Sequence, residues 1–248
     1  MTDLTLNEPA MWVIVLITAA VAGFIRGFTG FAGPAIMVLV LIQFYSPISV
    51  LPKIILIDLL SNLKLLPSTV REVDRKVIFI IIATSLLGLP AGMYLLVDTD
   101  PLIVKRFIAI LAAVSAIIML IGWRLSTVPA RWIYATVGFL SGIIFGLTTT
   151  SLLMMVFLFS IPAAAAVSRA NAIHWVFTLM VCTTVGYALT GVLTWDAVWR
   201  SLLVGVLYLV AAVAGSALFR VTPERNFRQA VLWLLVLLSG IALARSYG

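Results

Sequence analysis

Charge is what this sequence has least of. Its 248 residues hold nine acids and 16 Lys or Arg, 10% in all, where soluble domains carry about 25%. A soluble globular class is excluded on that ground. Cysteine is almost absent: the single Cys182 rules out an internal disulfide and reads as a small buried hydrophobe. Histidine is rarer than in most chains, with His174 alone. No Cys/His/carboxylate cluster has metal-ligand spacing, so no metal and no cofactor is expected. The phosphate-binding pattern Gly-x-x-x-x-Gly-Lys-[ST] is missing, which argues against ATP-driven work by this chain alone. Large hydrophilic domains and low-complexity tails are missing too. The stretch ahead of Arg26 carries Asp3 and Glu8 and no cation, unlike a cleaved signal peptide. The formal charge of +7 would suggest nucleic acid in a soluble protein. Here the cations gather in short loops, so membrane topology explains them and no nucleic-acid partner is expected.

Apolar residues fill the space left. They make up 63% of the chain, with mean hydropathy +1.22. Runs of about 20 residues, each enough to cross a bilayer of roughly 30 Å, recur along the whole length. They cover residues 10–43, 48–68, 77–97, 102–123, 131–161, 166–190, 195–219 and 229–244. Trp12, Trp123, Trp132, Trp195 and Trp199 stand near run ends, as interfacial belts do. The class is an all-α polytopic membrane protein.

Two of the runs are too long and too rich in glycine to be simple spans. The first contains Gly23-Phe-Ile-Arg-Gly-Phe-Thr-Gly-Phe-Ala-Gly-Pro34, and Gly23-Phe-Ile-Arg-Gly27 returns as Gly138-Phe-Leu-Ser-Gly142. From each first glycine a proline, Pro47 or Pro162, follows at the same distance. Residues 1–124 and 125–248 therefore read as two repeats of one membrane domain. Each has one glycine-broken helix, re-entrant or kinked, and three transmembrane helices. Loops 69–76, 124–131 and 220–228 carry most of the cations outside the runs and are expected in the cytoplasm. That parity holds only if one run of each half fails to cross. A re-entrant hairpin of two half-helices in runs 10–43 and 131–161 satisfies it, gives the repeats opposite orientation, and puts both termini on the non-cytoplasmic side. Eight full crossings with kinked first and fifth helices is the alternative.

A broken helix in lipid is tolerated where its freed backbone groups are buried in protein or line a wet cavity. Half-helix N-termini carry partial positive charge and attract anions. The expected substrate site therefore includes Gly27, Thr29, Gly30 and Gly33 at the first break, and Thr148, Thr149, Thr150 and Ser151 at the second. Arg26 adds a full charge beside the first break. Lys53 and Arg169, at matching places after the two runs, add two more if they point inward, and Asn171 follows Arg169. Asp58, the only acid deep in a run, is a counter-ion for Arg26 or Lys53, or a proton carrier; His174 is a second proton-coupling candidate. The two breaks are expected to meet near the bilayer centre. Interface cations, helix-packing hydroxyls and a packed histidine are the plain readings of the same residues.

Arg26-Gly-Phe-Thr-Gly-Phe-Ala-Gly33, Gly138-Phe-Leu-Ser-Gly142 and the arrangement of short apolar segments resemble the TauE/SafE family of sulfite exporters over nearly the whole chain. The resemblance implies movement of small sulfur-containing or organic anions: sulfite, sulfonates such as sulfoacetate, and related carboxylates. The chain departs from the family pattern in its second half, where Gly146-Leu-Thr-Thr-Thr-Ser151 replaces a glycine-rich stretch. The expected function is a secondary transporter that exports such anions from a bacterial inner membrane, with proton coupling through Asp58 or His174. A passive anion channel and, from another class, an intramembrane serine hydrolase using Ser141 and His174 are the alternatives. Partners are a small anion, the lipid bilayer and, through Gly205 and Ala211-Ala-Val-Ala-Gly215, a second copy in a homodimer.

Overall fold

The computed structural model describes residues 9–219 and 224–247. Ten helices and no strand occur among them. The first five are α1 (Pro9–Thr29), α2 (Ala32–Leu41), α3 (Pro47–Thr69), α4 (Arg75–Asp98) and α5 (Pro101–Ile121). The second five are α6 (Arg131–Thr148), α7 (Leu152–Ser160), α8 (Ala165–Leu189), α9 (Trp195–Phe219) and α10 (Glu224–Tyr247). Seven of them, α1, α4, α5, α6, α8, α9 and α10, are long and apolar enough to cross a membrane. The chain is an integral, multi-pass membrane protein. α3 has the length, 23 residues, but carries Lys53, Asp58 and Lys64. Large apolar side chains such as Phe79, Leu87, Leu203 and Leu237 face outward, as lipid requires.

Local chemistry sets the helix ends. Pro47 and Pro101 stand in the first turns of α3 and α5, where their missing N–H costs nothing. The Asp74 carboxylate accepts from the Lys76 and Val77 amides at 3.1 and 3.2 Å, and that of Asp100 from the Leu102 amide at 2.7 Å. Both fill orphan donors at a helix N-terminus. Gly122 closes α5 in the left-handed conformation, φ 70°.

The breaks have a different origin. α1 stops at Thr29, and Gly30 turns the chain with φ 83°; α6 stops at Thr148, and Thr149 makes the same turn with φ 53°. Each long helix then reverses into a short one of ten or nine residues. α2 is buried almost all round, consistent with its lack of a polar face. The sequence reading of two half-helices per run needs correction. α1 alone is about 31 Å long at 1.5 Å per residue, and only α2 and α7 are half-length. The runs still return toward the end where they began. Trp12 and Tyr45 line one cavity, and the Leu125 amide donates to the Ser160 carbonyl at 2.8 Å.

Packing between the halves is reciprocal. α1 lies along α9 and α6 along α4; α3 meets α8 and α5 meets α10. α2 packs on α10 and α7 on α5. Exchanging α1–α5 for α6–α10 maps these pairs onto one another. Glycines make the two closest pairs possible. A Cβ on Gly27 would fall 1.8 Å from the Ala212 carbonyl oxygen, and one on Gly142 2.0 Å from that of Ser85. Gly215 is pressed against the Phe24 carbonyl in the same way, and Gly205 faces Leu60. Gly205, Ala212 and Gly215 are therefore packed inside the chain, while Val213 and Ala214 of the same run face outward.

The breaks do not meet. The Phe28 ring, in the last turn of α1, lies 3.7 Å from that of Phe227 in the first turn of α10. The Tyr187 hydroxyl, near the end of α8, donates to the Gly146 carbonyl at 3.4 Å. Full-length α1 and α6 run in opposite senses and carry their breaks toward opposite ends of the bundle. α10 ends beside the turn after α2 and the first turns of α5: Arg245 stacks over Phe44 at 5.8 Å, and Arg106 of α5 donates to the Ser246 carbonyl at 2.6 Å. Of the three basic loops, residues 220–223 lie outside the described residues, as do residues 1–8 of the N-terminus.

Candidate anion site

Asp58 sits halfway along α3 and Tyr208 about halfway along α9. Arg26, one turn before the first break, reaches both helices. Its Nε donates to Asp58 Oδ1 at 3.0 Å, one Nη donates to Asn62 Oδ1 at 2.8 Å, and the other donates to the Gly30 carbonyl. The Tyr208 hydroxyl donates to the same Oδ1 of Asp58 at 2.9 Å. Asn62, one turn on from Asp58, donates to its Oδ2 at 2.9 Å and also lies 3.4 Å from the sulfur of Met180 in α8. Arg26 is 3% exposed, Asp58 1%, Asn62 and Tyr208 0%. Both carboxylate oxygens are hydrogen-bonded, which is the condition under which a buried ion pair offsets its desolvation. Gly33 brings the first turn of α2 onto this group. A Cβ there would fall 2.5 Å from the Tyr208 hydroxyl and 2.6 Å from the Arg26 Cβ. The bond from Arg26 to the Gly30 carbonyl ties the ion pair to the turn itself, so a movement of either is felt by the other.

Thr29 stabilises the first break instead of reaching outward. Its hydroxyl donates back to the Ile25 carbonyl at 2.8 Å and accepts from the Ala32 amide at 3.3 Å. Thr148 repeats this on α6: it donates to the Ile144 carbonyl at 2.7 Å and accepts from the Thr150 amide at 3.3 Å. The Thr148 and Thr150 hydroxyls are 2.9 Å apart. Thr149 differs. A β-branched residue with positive φ is an outlier, and its buried hydroxyl has no hydrogen-bond partner. Ser151 caps α7 without a side-chain bond and is half-buried.

The halves are not chemically equal. Where Arg26 of α1, Asp58 of α3 and Tyr208 of α9 meet, the matching helices bring together Phe145 of α6, Trp175 of α8 and Ser85 of α4. The Phe145 and Trp175 rings are 5.5 Å apart, edge to face, and the Trp175 indole donates to the Ser85 hydroxyl at 2.8 Å. One half holds an ion pair; the other fills the same place with aromatics.

A family model, Sulfite exporter TauE/SafE, matches residues 15–243. The chain belongs to the TauE/SafE sulfite exporter family. No curated protein and no solved structure gives a match. Membership implies export of sulfite or another anion across a membrane.

Within that family frame the remaining expected residues are dispersed. Lys53 lines a cavity near the starts of α1 and α9, whereas Arg169 is exposed at the start of α8. α3 and α8 run antiparallel, so these two cations lie at opposite ends and do not share a midplane site. The Asn171 side-chain carbonyl accepts from the Asp74 amide at 3.0 Å, which ties α8 to the start of α4. His174 Nε2 and Ser141 Oγ are each buried without a hydrogen-bond partner. The Ser–His contact that a hydrolase needs is therefore not formed, and His174 makes no hydrogen bond to Arg26 or Asp58. Tyr208 and Asn62 were not expected at the site. Asn62 was findable, four residues after Asp58 on one helix face. Tyr208 had a weaker signal: a phenol in the middle of an otherwise apolar span.

Proposed function

We propose that the chain is a secondary transporter that exports a small oxyanion by exchanging it for Asp58 on Arg26. The observation that carries this reading is the fully buried Arg26–Asp58 pair, bonded to the break at Gly30. In the empty protein Asp58 neutralises the guanidinium. An arriving sulfite, sulfonate or short carboxylate offers two oxygens to the planar fork, which suits Arg better than Lys. The displaced carboxylate, now unpaired and buried, takes a proton. Substrate and proton then move in linked steps without ATP.

Thr149 supports a second contact. Its strained backbone and unpartnered hydroxyl are the kind of local cost that accumulates at functional sites. The reciprocal packing supports an inverted repeat, in which one half rocks against the other. The preferred orientation has the basic loops in the cytoplasm of a bacterial inner membrane and both termini on the far side.

The test is anion flux in proteoliposomes, screened over sulfite, sulfoacetate and short carboxylates, with and without a pH gradient. Accumulation driven by the gradient is expected, together with weakened flux in Arg26→Lys and none in Arg26→Ala. Dissipation alone would make the protein a channel. Equal flux in all three proteins would remove Arg26 from the path.

A further inference from the structure

Arg26 presents N–H groups from Nε and one Nη along a single edge of its planar guanidinium, and two residues of α3 share that edge. Asp58 Oδ1 takes the Nε position at 3.0 Å and Asn62 Oδ1 the Nη position at 2.8 Å. The other Nη is held by the Gly30 carbonyl. Two side chains one helical turn apart thus stand in for the two oxygens of an anion. Charge fixes how the Asn62 amide lies. Its oxygen faces the cation, and its nitrogen faces the carboxylate, donating to Asp58 Oδ2 at 2.9 Å. That nitrogen is also anchored to the Asp58 backbone carbonyl at 3.1 Å and lies 3.4 Å from the Met180 sulfur. The amide is 0% exposed, so no water replaces a bond that it loses.

An anion that sets two oxygens on this edge displaces both acceptors at once. Asn62 Oδ1 then loses its Arg26 donor, and Asp58 Oδ1 keeps only the Tyr208 hydroxyl. The two oxygens lie side by side, since they sat on adjacent N–H groups. A buried acceptor left unsatisfied costs free energy, and one proton placed between the two satisfies both.

We infer that Asn62 is the positioning residue that makes anion exchange take up a proton: its freed side-chain oxygen accepts the O–H that forms on Asp58 Oδ1, while its Nδ2 still donates to Oδ2. The product is a closed acid–amide pair with two hydrogen bonds. The proton comes from water, one O–H bond forms, and nothing is oxidised or reduced. For a singly charged anion the site is neutral before and after: first Arg26 with Asp58, then Arg26 with the anion beside a protonated Asp58. Tyr208 does not serve instead. Its hydroxyl already donates to Oδ1, and as an acceptor it would need a new partner for its own proton. This role of Asn62 rests on the exchange of an anion for Asp58 proposed above.

The experiment is infrared difference spectroscopy of the full chain in nanodiscs, with and without methanesulfonate, which has no carbonyl band of its own. In the wild type the anion should bring up one carboxylic-acid carbonyl band, lost in Asp58→Asn. It should also shift one side-chain amide carbonyl, identified with isotope-labelled asparagine. Asn62→Leu should keep the acid band but move it to higher frequency, because both bonds to the amide are gone. Where Asn62→Leu accumulates poorly, the labelled amide in the wild type decides alone. An acid band at one frequency in wild type and Asn62→Leu, or an asparagine carbonyl that ignores the anion, overturns the role of Asn62 and leaves the exchange standing. A wild type with no acid band at any methanesulfonate concentration sinks the exchange, and the role of Asn62 with it.

Discussion

The Arg26–Asp58 pair can be weighed by removing its members singly and together. Replacing Arg26 by Met leaves the Asp58 carboxylate 1% exposed, with only Tyr208 and Asn62 as donors. Replacing Asp58 by Leu leaves the guanidinium against Asn62 and the Gly30 carbonyl. Each single change strands a buried charge and should cost about 3–5 kcal/mol. The double variant strands none. It forfeits hydrogen bonds at the neutral Tyr208 and Asn62, about 1–3 kcal/mol. Independent effects would sum to about 6–10 kcal/mol, so the coupling should amount to at least about 3 kcal/mol. Reversible unfolding in mixed detergent micelles reads this directly. A single variant that accumulates poorly gives the same information if the double variant restores folded yield. Effects that add to within about 0.5 kcal/mol would mean that the two charges do not depend on each other, and the exchange mechanism would lose its ground.

Glycine substitutions separate close packing from turning. Gly27→Ala places a methyl 1.8 Å from the Ala212 carbonyl and should lower stability by about 1–3 kcal/mol; unchanged thermal stability would contradict the α1–α9 contact. Thr149→Gly should do the opposite, raising stability by about 1 kcal/mol by relieving the positive φ while lowering anion flux. A variant that is more stable and equally active would make Thr149 a structural residue only. A reporter that is active only in the cytoplasm should stay dark when fused to the C-terminus, and a bright fusion would reverse the proposed orientation.

Much of the fold was legible because its punctuation is local. Pro47, Asp74, Asp100 and Gly122 mark helix ends by chemistry that needs no tertiary contact. The first break was legible for the same reason, since Gly30 is free to take a positive φ. The second was harder, because Thr149 makes that turn without being glycine. Its disguise also misled the repeat register. Gly138, Gly142 and Gly146 recur every turn, so matching Gly23–Gly27 to Gly138–Gly142 looks as good as matching it to Gly142–Gly146. The turns decide: Gly30 corresponds to Thr149, and Gly27 therefore to Gly146. Thr29 and Thr148 each donate to the carbonyl four residues back, as that register expects.

At the site, the sequence named Asp58 as a partner of Arg26 because no other acid lies deep in a run, and charge balance in lipid leaves little choice. Tyr208 was not legible, since its place depends on how α9 lies along α1. Nor was the separation of the breaks, which follows from α1 and α6 being full-length. The expectation that both breaks face one centre came from treating their helices as halves.

The central claim is that an anion takes the place of Asp58 on Arg26 and that the released carboxylate takes a proton. Proton uptake during anion binding tests it most directly. Purified protein in weakly buffered solution near neutral pH would be titrated with sulfoacetate, whose own acid groups stay ionised there. The wild type should take up about one proton per anion bound, and Asp58→Asn should bind with none. Anion binding to the wild type with no change in proton content would contradict the exchange.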